Sequence, residues 1–445
     1  MSEALKLIFK KIALKLGLEL KEKNEVINYD FASPGLNPTV IGASSIATIT
    51  IDDSEIAIAG ESERAKRLEE ICEYFTDEVL PTVAEVALGT GDCLARPYTD
   101  GKDIGIDIIG NNDFAITKAI GNKIKGVVMK IAEYTANNAT YMLTEAQELK
   151  DENGVSVCQI RRFAYKDGKE IPLISTDWKD YDEEQNIISD VLLVGRYKCP
   201  TVNRKNYNSP NGVPITFGCD DIIGEIKKQY KEYNDEFTVK RSRIFADRSL
   251  FKRDTKGDLK LSPSSEYVTV NGDLNNGVGS LIQEYSPNIR EAEHRAGSDF
   301  NFGILEMCCG FSRGVFTKPE TAFATATEMK NSLKKTFSFV KAFRKRIEAG
   351  DRGLFEAINV IMNLNNITPV GTWEIYHDWS YDYVEETRER FAQLVQSLSV
   401  GAIKKSDLTS WVLNMDREQA EEYIAEIEDE NEQAFGRAMA GEAAE

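Results

Sequence analysis

Apolar positions near the start of the chain recur at helical spacing. Leu5, Ile8, Ile12 and Leu16 share one face, while Lys6, Lys10, Lys11 and Lys15 run alongside. This predicts an amphipathic helix from Leu5 to Leu20, packed on its own domain in preference to lying on a membrane surface. Residues 24–60 read as loop and strand, with the alternation Ala47-Thr48-Ile49-Thr50-Ile51 predicting a short strand. A helix is predicted over 62–88, its apolar face formed by Leu68, Ile71, Cys72, Phe75, Val79 and Leu80. From Cys93 to Cys199 strands and turns dominate. Asp151-Glu152-Asn153-Gly154 and Lys166-Asp167-Gly168-Lys169 carry the Asn-Gly and Asp-Gly signals of hairpins.

The pattern changes after the turn cluster Ser209-Pro210-Asn211-Gly212. A helix is predicted from about Asp220, with Ile222, Ile226, Tyr230, Tyr233 and Phe237 on one stripe. Residues 243–284 read as extended and turn-rich, with a strand at Tyr267-Val268-Thr269-Val270. A second helix follows Pro287 and ends near Cys309, and Gly310 to Ala324 reads as a loop. Thr325-Ala326-Thr327-Glu328 has capping-box spacing and opens a helix predicted to stop at Gly350. A further helix (354–363), an aromatic strand around Trp373 to Trp379, and a helical end with an N-cap at Ser406 complete the expectation. The predicted class is α+β.

With 445 residues, 42% apolar and 29% charged, the composition is that of a soluble globular protein of about three domains. No apolar run reaches the ~18–20 residues of a membrane span. The net charge of −19 argues against a protein that coats nucleic acid with a basic surface. Seven scattered cysteines suggest neither a disulfide framework nor a CxxC zinc site, and a reducing cytoplasm is expected.

There is no GxxxxGK[ST] loop and no GxGxxG motif. The two histidines, His294 and His377, are far apart and read as structural residues. Acidic clusters at Asp180/Asp182/Glu183/Glu184 and Glu426/Glu428/Asp429/Glu430 could hold Mg²⁺, but such runs are usually solvated surface. No enzyme, cofactor or metal is therefore expected. The alternative is an acidic cytoplasmic Mg-dependent enzyme or an interaction protein. Charge is segregated: eight basic and three acidic residues lie between Lys240 and Lys260. The stretch 329–347 has seven cations and no acid, while 416–445 holds eleven acids and two arginines. From composition alone the basic segments read first as solvated faces or intramolecular partners of the acidic tail, and second as faces turned to polyanion or an acidic neighbour. Such separation also suits head-to-tail contacts in a ring.

Five ordered stretches carry a likeness to a known family. They are Ser209-Pro210-Asn211-Gly212-Val213-Pro214; Tyr230-Lys231-Glu232-Tyr233-Asn234-Asp235-Glu236-Phe237 with Arg243-Ile244-Phe245; Gln283-Glu284-Tyr285-Ser286-Pro287; Gly310-Phe311-Ser312-Arg313-Gly314; and Thr325-Ala326-Thr327-Glu328. In this order the chain resembles tailed-bacteriophage portal proteins, the head–tail connectors, in the subgroup from phages and prophages of Gram-positive bacteria.

The resemblance implies a portal-type fold: an α+β wing over 1–215, stem helix 1 over 216–242, a clip over 243–285, stem helix 2 over 286–309, a tunnel loop over 310–324, further wing over 325–385 and a helical crown over 386–445. It implies a virion protein, made in the host bacterial cytoplasm, that forms a ring of about twelve copies at one capsid vertex. The ring would conduct double-stranded DNA during packaging and ejection. Its partners would be terminase, head-completion adaptors and the major capsid or scaffolding protein. On that reading Arg313, Lys318, Lys227, Lys228 and Lys231 face the DNA channel. Arg248, Lys252, Arg253 and Lys256 dock adaptor or terminase, and Lys334, Lys335, Lys341 and Arg344 form a basic face on the wing helix.

Overall fold

The computed structural model describes residues 3–18, 35–52, 54–152, 154–239, 243–247, 267–270, 282–285, 288–318, 326–379, 394–398, 403–413, 417, 419–421 and 423–425. The protein is α+β, and it divides into two units, Met1–His377 and Asp378–Glu445.

Helix α1 (Glu3–Lys15) buries the predicted stripe. Leu5, Ile8, Phe9 and Ile12 pack on Ala115, Val128, Ala146 and Tyr165 of an antiparallel sheet. At about 1.5–3 kcal/mol for each large apolar side chain taken from water, this contact fixes the helix on the domain. The sheet runs in the order β4 (Phe114–Ile120), β5 (Lys123–Ala136), β6 (Ala139–Glu152), β7 (Val155–Lys166), β8 (Lys169–Ile171), with β9 (Glu184–Ile188) also pairing β7. Both expected hairpins form. At the β7–β8 turn Asp167 and Gly168 both take positive φ (46° and 76°), the signature of a type I′ turn.

Residues 38–51 are helical, not the strand that alternation predicted at Ala47–Ile51. In α2 (Pro38–Ile51), the Asn37 side chain accepts the Thr39 N–H at 3.2 Å and Pro38 pre-sets the first turn. Thr48 and Thr50 return their hydroxyls to Ser44 and Ile46 carbonyls (2.9 and 2.6 Å). Ala43, Ile46, Ala47 and Thr50 are buried at spacings of three and four. Five alternating residues at the end of such a helix mimic a strand.

The helix predicted over 62–88 appears as α3 (Glu63–Tyr74), a π-turn (Phe75–Val79) and α4 (Leu80–Thr90). Pro81 has no N–H for the carbonyl four residues back, and the π-turn absorbs that register change. All six predicted face residues are buried. Arg64, on α3, is 1% exposed and donates to the Pro369, Asn359 and Thr368 carbonyls. A second sheet, β10 (Gly195–Lys198), β2 (Asp92–Thr99) and β3 (Ile104–Gly110), follows α4, and β1 (Ser54–Ala59) pairs with β14 (Glu374–Trp379).

The segment 209–217 is buried throughout. Gly212 donates its N–H to Asp92 Oδ2 at 3.0 Å, and the Pro210 carbonyl accepts from Arg196 and Lys198. A Cβ on Gly212 would stand 1.8 Å from the Gly91 carbonyl oxygen, so only glycine fits this crossing. The turn cluster is thus an anchored plug that feeds α5 (Asp220–Val239).

Helix α7 (Ala326–Leu364) runs unbroken through Gly350, where a stop had been expected. A Cβ at 350 would lie 2.7 Å from the Tyr197 ring, so the missing side chain serves close packing against β10. Leu354, Phe355, Ile358 and Met362 beyond it are buried and carry the helix on. Thr325 of the capping box lies outside the described residues.

In the second unit, α8 (Lys405–Leu413) begins before Ser406, the expected N-cap. The Lys404 N–H is received by Asp407 Oδ2 at 2.9 Å, and the Ser406 hydroxyl donates to Glu421 at 3.3 Å.

Candidate functional site

Two antiparallel helices organise the region singled out by the sequence. α5 pairs with α6 (Glu291–Cys309): Glu236 near the end of α5 meets Arg290 and His294, Gln229 meets Asn301 at 2.8 Å, and Ile226 packs with Leu305. Between them in sequence lie β11 (Arg243–Asp247), β12 (Tyr267–Val270) and β13 (Ile282–Tyr285), a three-stranded sheet with β11 central. β11 is parallel to β12 and antiparallel to β13, and Arg243 is paired with Tyr285. In sequence the sheet lies between the end of α5 and the start of α6.

The end of α6 bends into a fixed loop. Glu306 is 1% exposed, and its Oε1 accepts the N–H groups of Gly314, Val315, Phe316 and Thr317 at 2.9–3.0 Å. The Thr317 hydroxyl donates to the same carboxylate at 3.0 Å. Successive amides converging on one anion form a backbone nest, here filled by the protein's own side chain. Phe316 stacks near Phe302 and Phe311, so apolar packing closes the loop's other side.

The expected channel cations sit differently from one another. Lys227, Lys228 and Lys231 are exposed on α5, with Lys228 3.8 Å from Glu225. Arg313 turns back onto α6, 3.6 Å from Asp299 and 4.0 Å from Glu306. Lys318 is exposed and borders an open groove with Glu291, Glu293, Asp299, Phe302 and Phe316. α5 holds three lysines and six acids, and α6 one arginine and four acids, so both helices are net acidic. Cations outnumbered by carboxylates on the same helices are poorly suited to neutralise a run of phosphates.

On α7, Lys334, Lys335 and Lys341 are exposed as expected. Arg344 is not part of that face. It is 6% exposed and donates to the Thr50 carbonyl at 2.9 Å, satisfying the C-terminal end of α2. Arg248, Lys252, Arg253 and Lys256, expected in a clip, lie outside the described residues.

Both histidines contact carboxylates. His294 contacts Glu236 and stacks edge-on to Tyr233. His377 meets Asp351 at 2.7 Å, and Asp351 also receives the Tyr197 hydroxyl at 2.8 Å. Burial pushes the Asp351 carboxyl above its ordinary range against the pull of His377. This trio is enclosed, with Asp351 and Tyr197 both at 0% exposure. Of the acidic cluster at 180–184, Glu184 is engaged by Gln159 and Arg161. Glu426 to Glu430 lie outside the described residues. Among the described residues, no group of three or more His, Cys, Asp or Glu is arranged to hold a metal ion, and no helix is long and apolar enough to cross a membrane.

Sequence reasoning missed the Glu306 nest. Its one signal was a lone acid inside the apolar run Ile304-Leu305-Glu306-Met307-Cys308-Cys309. Compared with known proteins, the chain matches no family model and no curated protein.

Proposed function

We propose that this chain is a structural subunit of a tailed-phage portal ring that conducts double-stranded DNA at a capsid vertex and performs no catalysis. One observation carries the reading. Within a single unit, an antiparallel helix pair flanks a small three-stranded sheet at one end and bends into a pinned loop at the other, followed by a 39-residue helix. That is the order of stem, clip, stem, tunnel loop and wing helix that the sequence resemblance implies. On this reading about twelve copies surround the channel. The clip receives terminase during packaging and adaptors afterwards, and major capsid or scaffolding protein holds the wing.

The electrostatics suit a conduit. Tight neutralisation of several phosphates gives strong, salt-steep binding that would halt a sliding duplex. Acidic stem helices with interspersed lysines repel the backbone on average and touch it briefly. Light scattering after size exclusion tests the reading: a species of about twelve chains of 49.8 kDa is expected. A 49.8 kDa monomer at every salt and protein concentration overturns it. Replacing Arg248, Lys252 and Arg253 with Glu is expected to weaken adaptor or terminase docking with the ring intact, and unchanged docking removes the clip assignment.

A further inference from the structure

Three cysteines separated in sequence meet where the α5–α6 pair closes. Cys219 immediately precedes α5, and Cys308 and Cys309 are the last residues of α6. Cys219 Sγ and Cys309 Sγ are 3.8 Å apart although the residues are 90 positions apart. A disulfide bond spans about 2.05 Å, so the sulfurs must close by less than ~2 Å, within the reach of side-chain rotation. Cys219 is buried, Cys309 half-buried and Cys308 exposed. The other four cysteines are all buried, and burial pushes the Cys72 and Cys158 thiols up to about 12 and Cys199 up to about 11. Solvent access and a facing thiol coincide only in this trio.

We propose that Cys219 and Cys309 form a thiol–disulfide exchange site that reacts with low-molecular-weight disulfides and staples the start of α5 to the end of α6. The thiolate of Cys219, to which Cys309 donates its S–H, attacks the disulfide RSSR, forming a mixed disulfide and releasing one RS⁻. The thiolate of Cys309 then attacks the Cys219 sulfur, forming the internal bond and releasing the second RS⁻. The two cysteine protons end on the two released thiolates, so one RSSR is reduced to two RSH as two thiols are oxidised. Cys219 suits the first step, because a hydrogen bond from Cys309 and the nearby Arg204 charge hold its thiol below the usual range; the same bond pushes the Cys309 thiol up until Cys219 has reacted.

The link would bear on the loop. Cys309 precedes Gly310, where the helix ends at φ +79°, and Glu306 in the same turn holds residues 314–317. Oxidation therefore fixes the root of that loop to α5 and constrains the whole segment between the two cysteines.

The test treats the full chain with oxidised glutathione, alkylates remaining thiols, and maps cysteine-bearing peptides by mass spectrometry. The expected product is a Cys219–Cys309 cross-link, reversed by dithiothreitol, with a rise in melting temperature of several degrees. Cys308→Ser should keep both effects, and Cys309→Ser and Cys219→Ser should lose both. Free thiols at 219 and 309 after Cys308 has been fully glutathionylated overturn the proposal. A cross-link that survives in Cys309→Ser assigns the pair wrongly and also overturns it. The decisive mapping is made on the unsubstituted chain and reads the same in a monomer or a ring, so its failure is separate from failure of the portal reading.

Discussion

At the scale of single residues, two buried carboxylates work in opposite surroundings. Glu306 has four amides and a hydroxyl around it, and its loss would leave those half-buried donors without their carboxylate acceptor. A charge-assisted hydrogen bond contributes about 1.5–3 kcal/mol, so Glu306→Gln should cost about 2–3 kcal/mol locally. Hydrogen exchange of the Gly314–Thr317 amides should accelerate by roughly tenfold or more, since 1.4 kcal/mol is a factor of ten. Unchanged protection there would mean that the aromatic packing alone holds the loop.

Glu145 is surrounded by charge. Burial would raise its carboxyl, but the Arg96 charge and fork, with Arg162 behind it, overcome burial and hold it at about 2, below the usual 4.5. A depressed folded-state value gives stability that is full above about pH 4.5 and is lost as pH falls towards 2. The linked contribution is on the order of 3 kcal/mol. Urea unfolding between pH 6 and pH 2.5 should show this loss, and Glu145→Gln should flatten it while destabilising the protein at neutral pH by taking the anion from Arg162 and leaving Arg96 with Asp107 alone.

At the scale of elements, α7 offers two glycines three residues apart with opposite expectations. A Cβ at Gly350 meets the Tyr197 ring at 2.7 Å and the Arg196 carbonyl at 2.9 Å, whereas at Gly353 the nearest atom is 3.6 Å away. Gly350→Ala should destabilise by about 1–3 kcal/mol through overpacking. Gly353→Ala should be neutral or stabilising by about 0.5–1 kcal/mol through helix propensity. Thermal melts of the pair decide it, and equal effects would contradict close helix–strand contact as the reason for Gly350.

The same positions explain what sequence could and could not convey. Periodicity located α1, α3 and α5; α1 and α3 bury their stripes, whereas on α5 Ile226 is buried and Tyr230 and Phe237 stay exposed. The α2 error and the missed continuity of α7 arise where neighbours outvote local signals: Ala47–Ile51 alternates yet is packed as a helix, and Gly350 is held helical by Tyr197. Arg344 read as one more surface cation because a sequence carries no record of the Thr50 carbonyl beneath it. Glu306 showed only as a lone acid in an apolar run, and the Cys219–Cys309 approach left no local signal, for the same reason. Their partners come from a loop and from a helix 90 positions away.

At the scale of the whole molecule, the net charge of −19 first argued against nucleic acid. The described helices α5 and α6 refine that argument, since both are net acidic: α5 has three lysines against six acids and α6 one arginine against four acids. Affinity for duplex DNA should therefore be weak, and replacing Lys227, Lys228 and Lys231 with Glu should change it little while reducing its salt slope by less than the ~0.9 per phosphate expected of tight contacts. A steep salt slope that these substitutions abolish would instead indicate a clamp.

The central claim is a ring with an open axis. Class-averaged electron-microscope images of the purified chain, viewed down the particle axis, address it most directly. The account predicts a closed ring of about twelve subunits around a clear central channel. Particles that are monomeric, or assembled without any axial opening, would contradict it.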